Sequence, residues 1–239
     1  MEIDDGVAFQ KLYLEYLKAR LGPPVGYKAA LTTVASQRRF KAQQPVLGVL
    51  LRDMVLESPA ALPRKFATRP LLEADLMVRV GKADIETAET DQEILGCLDV
   101  VAPFVEIPDL LFAPAVDLNS KQLEAVNVGA RFGVMGQQVE LRNMGDAFKQ
   151  LASFEVELEG SDGVRRMRGQ GSNLMGHPLN VVRWIRDRLK EKGGKLLPGD
   201  WLSLGSVTGL QAVVPGSEVR VRYLGLGGSE NLEIIIKFN

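Results

Sequence analysis

The stretch 72–80 constrains the fold of this chain more than any other. Leu72, Ala74, Leu76, Val78 and Val80 alternate with Glu73, Asp75, Met77 and Arg79, the period of two expected of a β-strand with one apolar face. Two acids, Glu73 and Asp75, then share the opposite face. The apolar face must be covered, and the sequence supplies further strands for that purpose. They are read in a nearly all-apolar run at 100–107, at 128–135, at Phe154, Val156 and Leu158 leading across a Ser161-Asp162-Gly163 turn, and at 201–206. Val219, Val221 and Tyr223, then Ile234 and Ile236, give a β-rich ending.

Helices are scattered among these strands. Phe9, Leu12, Tyr13, Tyr16 and Leu17 recur at helical spacing after Asp4 and Asp5, and Gly22, Pro23 and Pro24 stop the run. This first helix is expected to dock by its aromatic stripe. The run 25–31 is short and mostly apolar, Thr33 caps a helix to about residue 41, and 45–51 reads as loop and strand. Thr90 with Glu93, and Asn119 with Gln122, have the spacing of capping boxes. Pro178 opens a helix that places Val181, Val182, Ile185 and Leu189 on one face before Gly193-Gly194 ends it. Strands this numerous between short helices predict an α+β fold with a rolled or sandwich-like sheet.

Counts exclude several function classes. With 29 Lys and Arg against 30 Asp and Glu, the net charge of −1 gives no global reason to expect a nucleic-acid or membrane partner. Cys97, the single cysteine, rules out an intrachain disulfide and any multi-thiolate zinc site. The acidic start, MEIDDGVAFQ, and the lack of a run of about 18 apolar residues read as a soluble cytoplasmic protein. Any hydrolase chemistry with a histidine base must use the single histidine, His177, whose place before Pro178 reads as structural. Gly225, Gly227 and Gly228 lack dinucleotide spacing and lead into strand, so nucleotide cofactors are not expected.

Three features point to chemistry. Glu106 lies in VVAPFVEIPDLLFAP, where an ionised carboxylate is costly unless something positive meets it. With Glu73 and Asp75 it forms either an all-oxygen site suited to Mg²⁺ or Mn²⁺, or a solvated strand face beside a salt-bridged core acid. Lys28, after Gly26 and Tyr27, is either a desolvated proton carrier or a lysine that snorkels to the surface. Gly205-Ser206-Val207-Thr208-Gly209 ends an apolar strand, and the hydroxyls of Ser206 and Thr208 have the chemistry to hold a carboxylate.

Taken in order, GYKAALTT, QPVLGVLLRDM, RPLLEADLMVRVG, VAPFVEIPD, VNVGARFGVMG, and GHPLNVVRWI followed by LLPGDWLSLGS resemble the fumarylacetoacetate hydrolase superfamily, within it the 2-keto-4-pentenoate hydratase and 4-oxalocrotonate decarboxylase branch. The resemblance covers about 25–239 and implies a mixed β-roll with peripheral helices, a helical arm over 1–24 before a single catalytic domain over 25–239, and a homo-oligomer. It also implies that Glu73, Asp75 and Glu106 hold the divalent metal and that Lys28 is the active-site lysine. The expected substrate is a small 2-oxo or 2-hydroxy-dienoic acid, chelated so that the cation stabilises an enolate while Lys28 shuttles the proton.

Departures from the family pattern bear on substrate and reaction. Val46 stands where hydratases carry an acid that works with the lysine on water. The family's Ala-Asp-Asn-Ala-Ser-Ser segment appears as Ala125-Val126-Asn127-Val128-Gly129-Ala130, so Asn127 survives as a substrate contact and an acid and two hydroxyls do not. Arg131 is the obvious cation for a second carboxylate. About one helix that relatives carry before the lysine motif is missing, which a shortened variant, a truncated chain or the mature form of an exported precursor would each produce. Rival readings are a C–C hydrolase of acylpyruvate type, which needs a histidine near the metal, and an inactive binding homologue.

Overall fold

The computed structural model describes residues 3–63, 65–160, 166–228 and 231–239. Its helices are α1 (Ile3–Leu21), α2 (Val34–Arg39), α3 (Asp91–Gly96), α4 (Ser120–Ala125), α5 (Ala147–Ser153) and α6 (Pro178–Glu191). Its strands are β1 (Pro24–Ala30), β2 (Val46–Leu51), β3 (Val55–Glu57), β4 (Ala60–Leu62), β5 (Leu71–Val80), β6 (Leu98–Ile107), β7 (Phe132–Met135), β8 (Val139–Glu140), β9 (Glu155–Gly160), β10 (Arg166–Gln170), β11 (Trp201–Ser203), β12 (Gln211–Ala212), β13 (Glu218–Leu224) and β14 (Leu232–Phe238). The expected Ser161-Asp162-Gly163 turn lies outside the described residues.

Two mixed sheets make the α+β fold. The larger runs β2-β1-β11-β5-β6-β7-β3, with β12 paired to β5 and β8 to β6; the smaller runs β10-β9-β13-β14-β4. Most neighbours are antiparallel, but β1 with β11, β3 with β7 and β14 with β4 run parallel. Val156, Leu158, Val219, Val221, Tyr223, Ile234 and Ile236 of the smaller sheet join Leu72, Ala74, Leu76 and Val78 of β5 in one core. Val181, Val182, Ile185 and Leu189 of α6 belong to that core as well.

β5 is therefore not the half-solvated strand its alternation suggests. Its acidic face is covered too, by Lys28 and by a second cluster of Leu50, Met77, Ala102, Phe104 and Met135. Sheet curvature produces this, since the strands flanking β5 and β6 bring their own side chains over that face. The solvated-face reading of Glu73 and Asp75 is overturned.

Local capping rules hold. Thr33, Thr90 and Asn119 each cap a helix in a reciprocal box, with Ser36, Glu93 and Gln122 as third-position partners. His177 caps α6, its Nδ1 accepting the Leu179 N–H at 3.1 Å, which matches the structural reading of that residue.

Three sequence expectations are corrected. Helix α1 docks by only part of its expected stripe: Tyr13 and Leu17 pack with Leu51 and Met54, but Phe9, Leu12 and Tyr16 are exposed, and Gln10 and Leu14 are buried in their place. The helix is rotated because Gln10 donates from Nε2 to the Leu47 carbonyl of β2 at 3.0 Å, and Gly6 lies close against Lys121 of α4. The strand expected over 128–135 begins only at Phe132, because Asn127, Val128 and Gly129 take left-handed backbone at φ 53°, 58° and 66°. The strand expected over 201–206 stops at Ser203, after which Leu204 N–H bonds to Leu76 O and Gly205 turns at φ 96°.

Candidate active site

Strand register assembles the charged residues. Glu73 on β5 faces Glu106 on β6, and Asp75 faces Phe104; cross-strand partners project to the same face, so the three carboxylates share it. Lys28 reaches this face from β1, where it stands opposite Gly48 on β2 and Ser203 on β11. A side chain at Gly48 would collide with Lys28 Cγ at 2.9 Å. The glycine thus leaves the room through which the lysine stem lies flat. Gly133 does the same for the Phe104 ring, beside Glu106.

Lys28 and Glu106 form an ion pair, Nζ on Oε1, with each side chain 2 % exposed. Burial lowers the lysine to about 8, against the pull of Glu73 and Asp75 in the other direction. The desolvated reading of Lys28 therefore prevails over the snorkelling one. Asp75 is 0 % exposed and is held by three donors: Ser203 Oγ, Leu76 N–H and, at 3.1 Å, Leu204 N–H. Burial nevertheless raises it to about 8. Burial also raises Glu73, opposed by Lys28 and by a hydrogen bond with Ser206.

The donor set fits a divalent cation in charge and chemistry. Three buried carboxylates facing one ammonium leave two uncompensated negative charges if all ionise, and hard carboxylate oxygens are the ligands Mg²⁺ and Mn²⁺ prefer. Glu106 Oε2 is buried with no hydrogen-bond partner, an acceptor that lacks a donor or a cation. As placed, however, no group of three or more His, Cys, Asp or Glu side chains among the described residues encloses a metal position, because Glu106 turns to Lys28 and Asp75 to Ser203.

A cavity of about 410 Å³ opens on this cluster. Lys28 and Glu73 belong to its wall with Ser206 and Thr208, and Leu31, Phe40, Leu110, Leu123 and Val128 make it largely apolar. Ser206 Oγ accepts the Gly209 N–H at 2.7 Å and Thr208 Oγ1 accepts the Ala74 N–H at 3.2 Å. Val46 packs in the apolar cluster of Leu31, Phe40, Leu123 and Val128, with no acid in its place.

The other two expected substrate contacts have different jobs. Asn127 is 0 % exposed and clamps β2, accepting Val49 N–H at 2.8 Å and donating to Val49 O at 2.9 Å. Those bonds hold the left-handed turn in place, an arrangement costly for the β-branched Val128. Arg131 donates to Phe66 O at 2.9 Å and lies over the Phe132 ring, off the cavity wall. Arg168 and Asn173 line the cavity instead. Sequence reading missed both, since Arg168 sits in an ordinary alternating strand. The Arg168 side chain is 75 % exposed and paired with Glu157, which puts it at the mouth.

A larger groove of about 1130 Å³ lies elsewhere, with none of the expected site residues on its wall. Arg79 and Arg142 there are already paired, with Asp99 and Glu140. His177 also lies apart from the cavity, its Nε2 3.0 Å from Phe148 O and its ring stacked on Phe148.

No protein-family model matches the chain. It is 28 % identical over 232 residues, 95 % of this chain and 82 % of the relative, to a 2-keto-4-pentenoate hydratase of Paraburkholderia xenovorans. It is 26 % identical over 204 residues, 85 % of this chain and 75 % of the relative, to a 4-oxalocrotonate decarboxylase of Pseudomonas putida. Among solved structures it resembles the 4-oxalocrotonate decarboxylase of Pseudomonas putida G7 complexed with magnesium and adipate, at a TM-score of 0.86 and 22 % identity, covering 100 % of this chain and 87 % of that one. It also resembles a yeast fumarylacetoacetate hydrolase family protein, at a TM-score of 0.60 and 14 % identity over 88 % of this chain and 91 % of that one. Along most of its length the chain is similar to the 2-keto-4-pentenoate hydratases and 4-oxalocrotonate decarboxylases, a branch of the fumarylacetoacetate hydrolase superfamily, and it shares that superfamily's fold.

Proposed function

We propose that the protein is a metal-dependent lyase acting on a small 2-oxo or 2-hydroxy-dienoic acid. The observation that carries this reading is the buried Lys28–Glu106 pair, with Glu73 on the wall of an otherwise apolar cavity. In this reading Glu73, Asp75 and Glu106 hold one Mg²⁺ or Mn²⁺, which when bound stabilises negative charge developing on the oxygens of a chelating 2-oxo acid. The solved relative that binds magnesium and adipate, a small acid, supports that ligand class.

The chain's own residues supply the rest. Lys28, near 8 because it is desolvated, can hold a proton at Nζ or give it up close to neutral pH, as a group exchanging protons with a substrate carbon must. Ser206 orients Glu73. Thr208 Oγ1 has only a long bond, 3.4 Å to Gly209 O, for its own hydrogen, so the hydroxyl can turn to a substrate carboxylate. Leu31, Phe40, Leu110, Leu123 and Val128 keep water from the reacting end.

Between the two reactions of the branch, the wall favours decarboxylation. Leu31, Phe40, Leu123 and Val128 of the wall, backed by Val46, offer no base for activating water, and an apolar surface favours loss of charge as CO₂. A C–C hydrolase is disfavoured because the histidine that would activate water caps α6 instead. An assay with Mg²⁺ or Mn²⁺ against 2-hydroxy-dienoates, 2-oxo-enedioates and acylpyruvates, with products identified by mass, tests the proposal. Loss of CO₂ or addition of water supports the lyase reading; C–C hydrolysis, or no turnover of any substrate, refutes it.

We also infer that the protein is a homo-oligomer. The exposed Phe9, Leu12 and Tyr16 face of α1 gives a surface that association would cover. No helix among the described residues is long and apolar enough to cross a membrane.

A further inference from the structure

Tyr223 lies on β13 with Val219 and Val221, on the face of the smaller sheet that packs into the core. It is 0 % exposed, and a phenol buried that completely needs a partner for its hydroxyl. The partner is found across the core, in the other sheet. Tyr223 Oη is 2.6 Å from the Asp75 carbonyl oxygen and 2.6 Å from the Phe104 carbonyl oxygen, and accepts the Phe104 N–H at 3.3 Å. Its single hydrogen is shared between the two carbonyls.

Asp75 and Phe104 are register partners across β5 and β6, and Glu73 and Glu106 are the next pair on the same face. The hydroxyl is thus fastened to the back of the seam whose front carries all three carboxylates. The Phe154 ring, stacked on Tyr223 at 6.1 Å between centroids, fixes the ring from its own side. Phenylalanine would fill the same space with no buried hydroxyl to satisfy. What tyrosine adds is a bolt between β5 and β6 at the point where their spacing sets the distance from Glu73 and Asp75 to Glu106.

We infer that Tyr223 is a positioning residue for the carboxylate site: its hydroxyl ties the Asp75 and Phe104 backbone together from behind and so fixes the strand spacing from which the three side chains would turn to a divalent cation. The inference rests on the reading of Glu73, Asp75 and Glu106 as the metal ligands. Cations such as Mg²⁺ tolerate only small departures from metal–oxygen distances of about 2.0–2.1 Å, so a seam free to widen weakens binding even with every ligand present.

The test is calorimetric titration of MnCl₂ into chelator-stripped wild type, Tyr223→Phe and Val219→Ala, each also melted thermally. Val219→Ala removes core contacts from the same strand without touching the seam. Tyr223→Phe is expected to raise the Mn²⁺ Kd about tenfold, the low end for residues that support a metal's ligands, while Val219→Ala lowers the melting temperature and leaves the Kd within about twofold. A Kd for Tyr223→Phe within about twofold of wild type overturns the inference. Failure of wild type to bind Mn²⁺ overturns the metal reading together with it, a result read before any variant is compared. Should Tyr223→Phe not fold, Phe154→Leu keeps the hydroxyl but loosens its ring: a Kd raised about threefold or more supports the bolt, and an unchanged one overturns it.

Discussion

Replacing Lys28 by methionine would strand Glu106. Methionine keeps most of the aliphatic volume beside Gly48 and removes only the ammonium. Both partners are 2 % exposed, so solvent screening does not soften the loss, and Glu106 Oε2 already has no partner. Removing one member of a buried pair costs about 3–5 kcal/mol, because the other charge is left uncompensated. At about 2–4 °C per kcal/mol for a chain of this size, the melting temperature should fall by roughly 6–20 °C. Thermal melts at pH 7 in chelator read this directly, and saturating Mn²⁺ should recover a large part of it by supplying the missing positive charge. Turnover of whichever substrate is found should drop at least about tenfold, a conservative floor for removing a general acid/base. A melting temperature within about 2 °C of wild type in chelator would refute the stranded-charge argument, and unchanged turnover would remove Lys28 from the chemistry.

Glu106→Ala is expected to abolish Mg²⁺ and Mn²⁺ binding by calorimetry, since two carboxylates are too few ligands; equal affinity in variant and wild type would sink the metal site. Metal-free protein should melt at progressively lower temperature as pH rises between about 4 and 8. The folded Asp75 keeps its proton to about 8 while the unfolded chain releases it near the ordinary carboxylate range, so stability is lost across that window; a flat or rising profile contradicts the burial of this cluster. Arg168→Ala should raise KM about tenfold for a dicarboxylate and little for a monocarboxylic 2-oxo acid, the low end for a charged hydrogen bond at an exposed rim, and equal changes for both would rule Arg168 out of substrate selection. Light scattering at micromolar concentration should give a multiple of the 26.2 kDa chain mass; the chain mass itself would refute the oligomer.

What the sequence settled alone is what neighbours within a few residues decide. Thr90 with Glu93 and Asn119 with Gln122 satisfy backbone donors three residues away, so their spacing is sufficient and the capped helices α3 and α4 are where it places them. The alternation of β5 and the apolar run of β6 likewise identify strands, and their i, i+2 geometry is enough to set Glu73 and Asp75 on one face. The family motifs then carried the fold. The tertiary structure decided everything that depends on distant partners. Lys28 meets Glu106 across 78 positions, and no local pattern distinguishes a lysine that will be buried against carboxylates of distant strands from one that reaches solvent. The same holds for α1, where a hydrogen bond from Gln10 to β2 outweighs an aromatic stripe that a helical wheel would bury. Arg168 arrives at the cavity mouth from β10, and Asn127 and Arg131 leave the wall because backbone groups distant in sequence, those of Val49 and Phe66, hold their side chains. Burial and charge pairing are properties of that packing, and the chemistry of Lys28 follows from them.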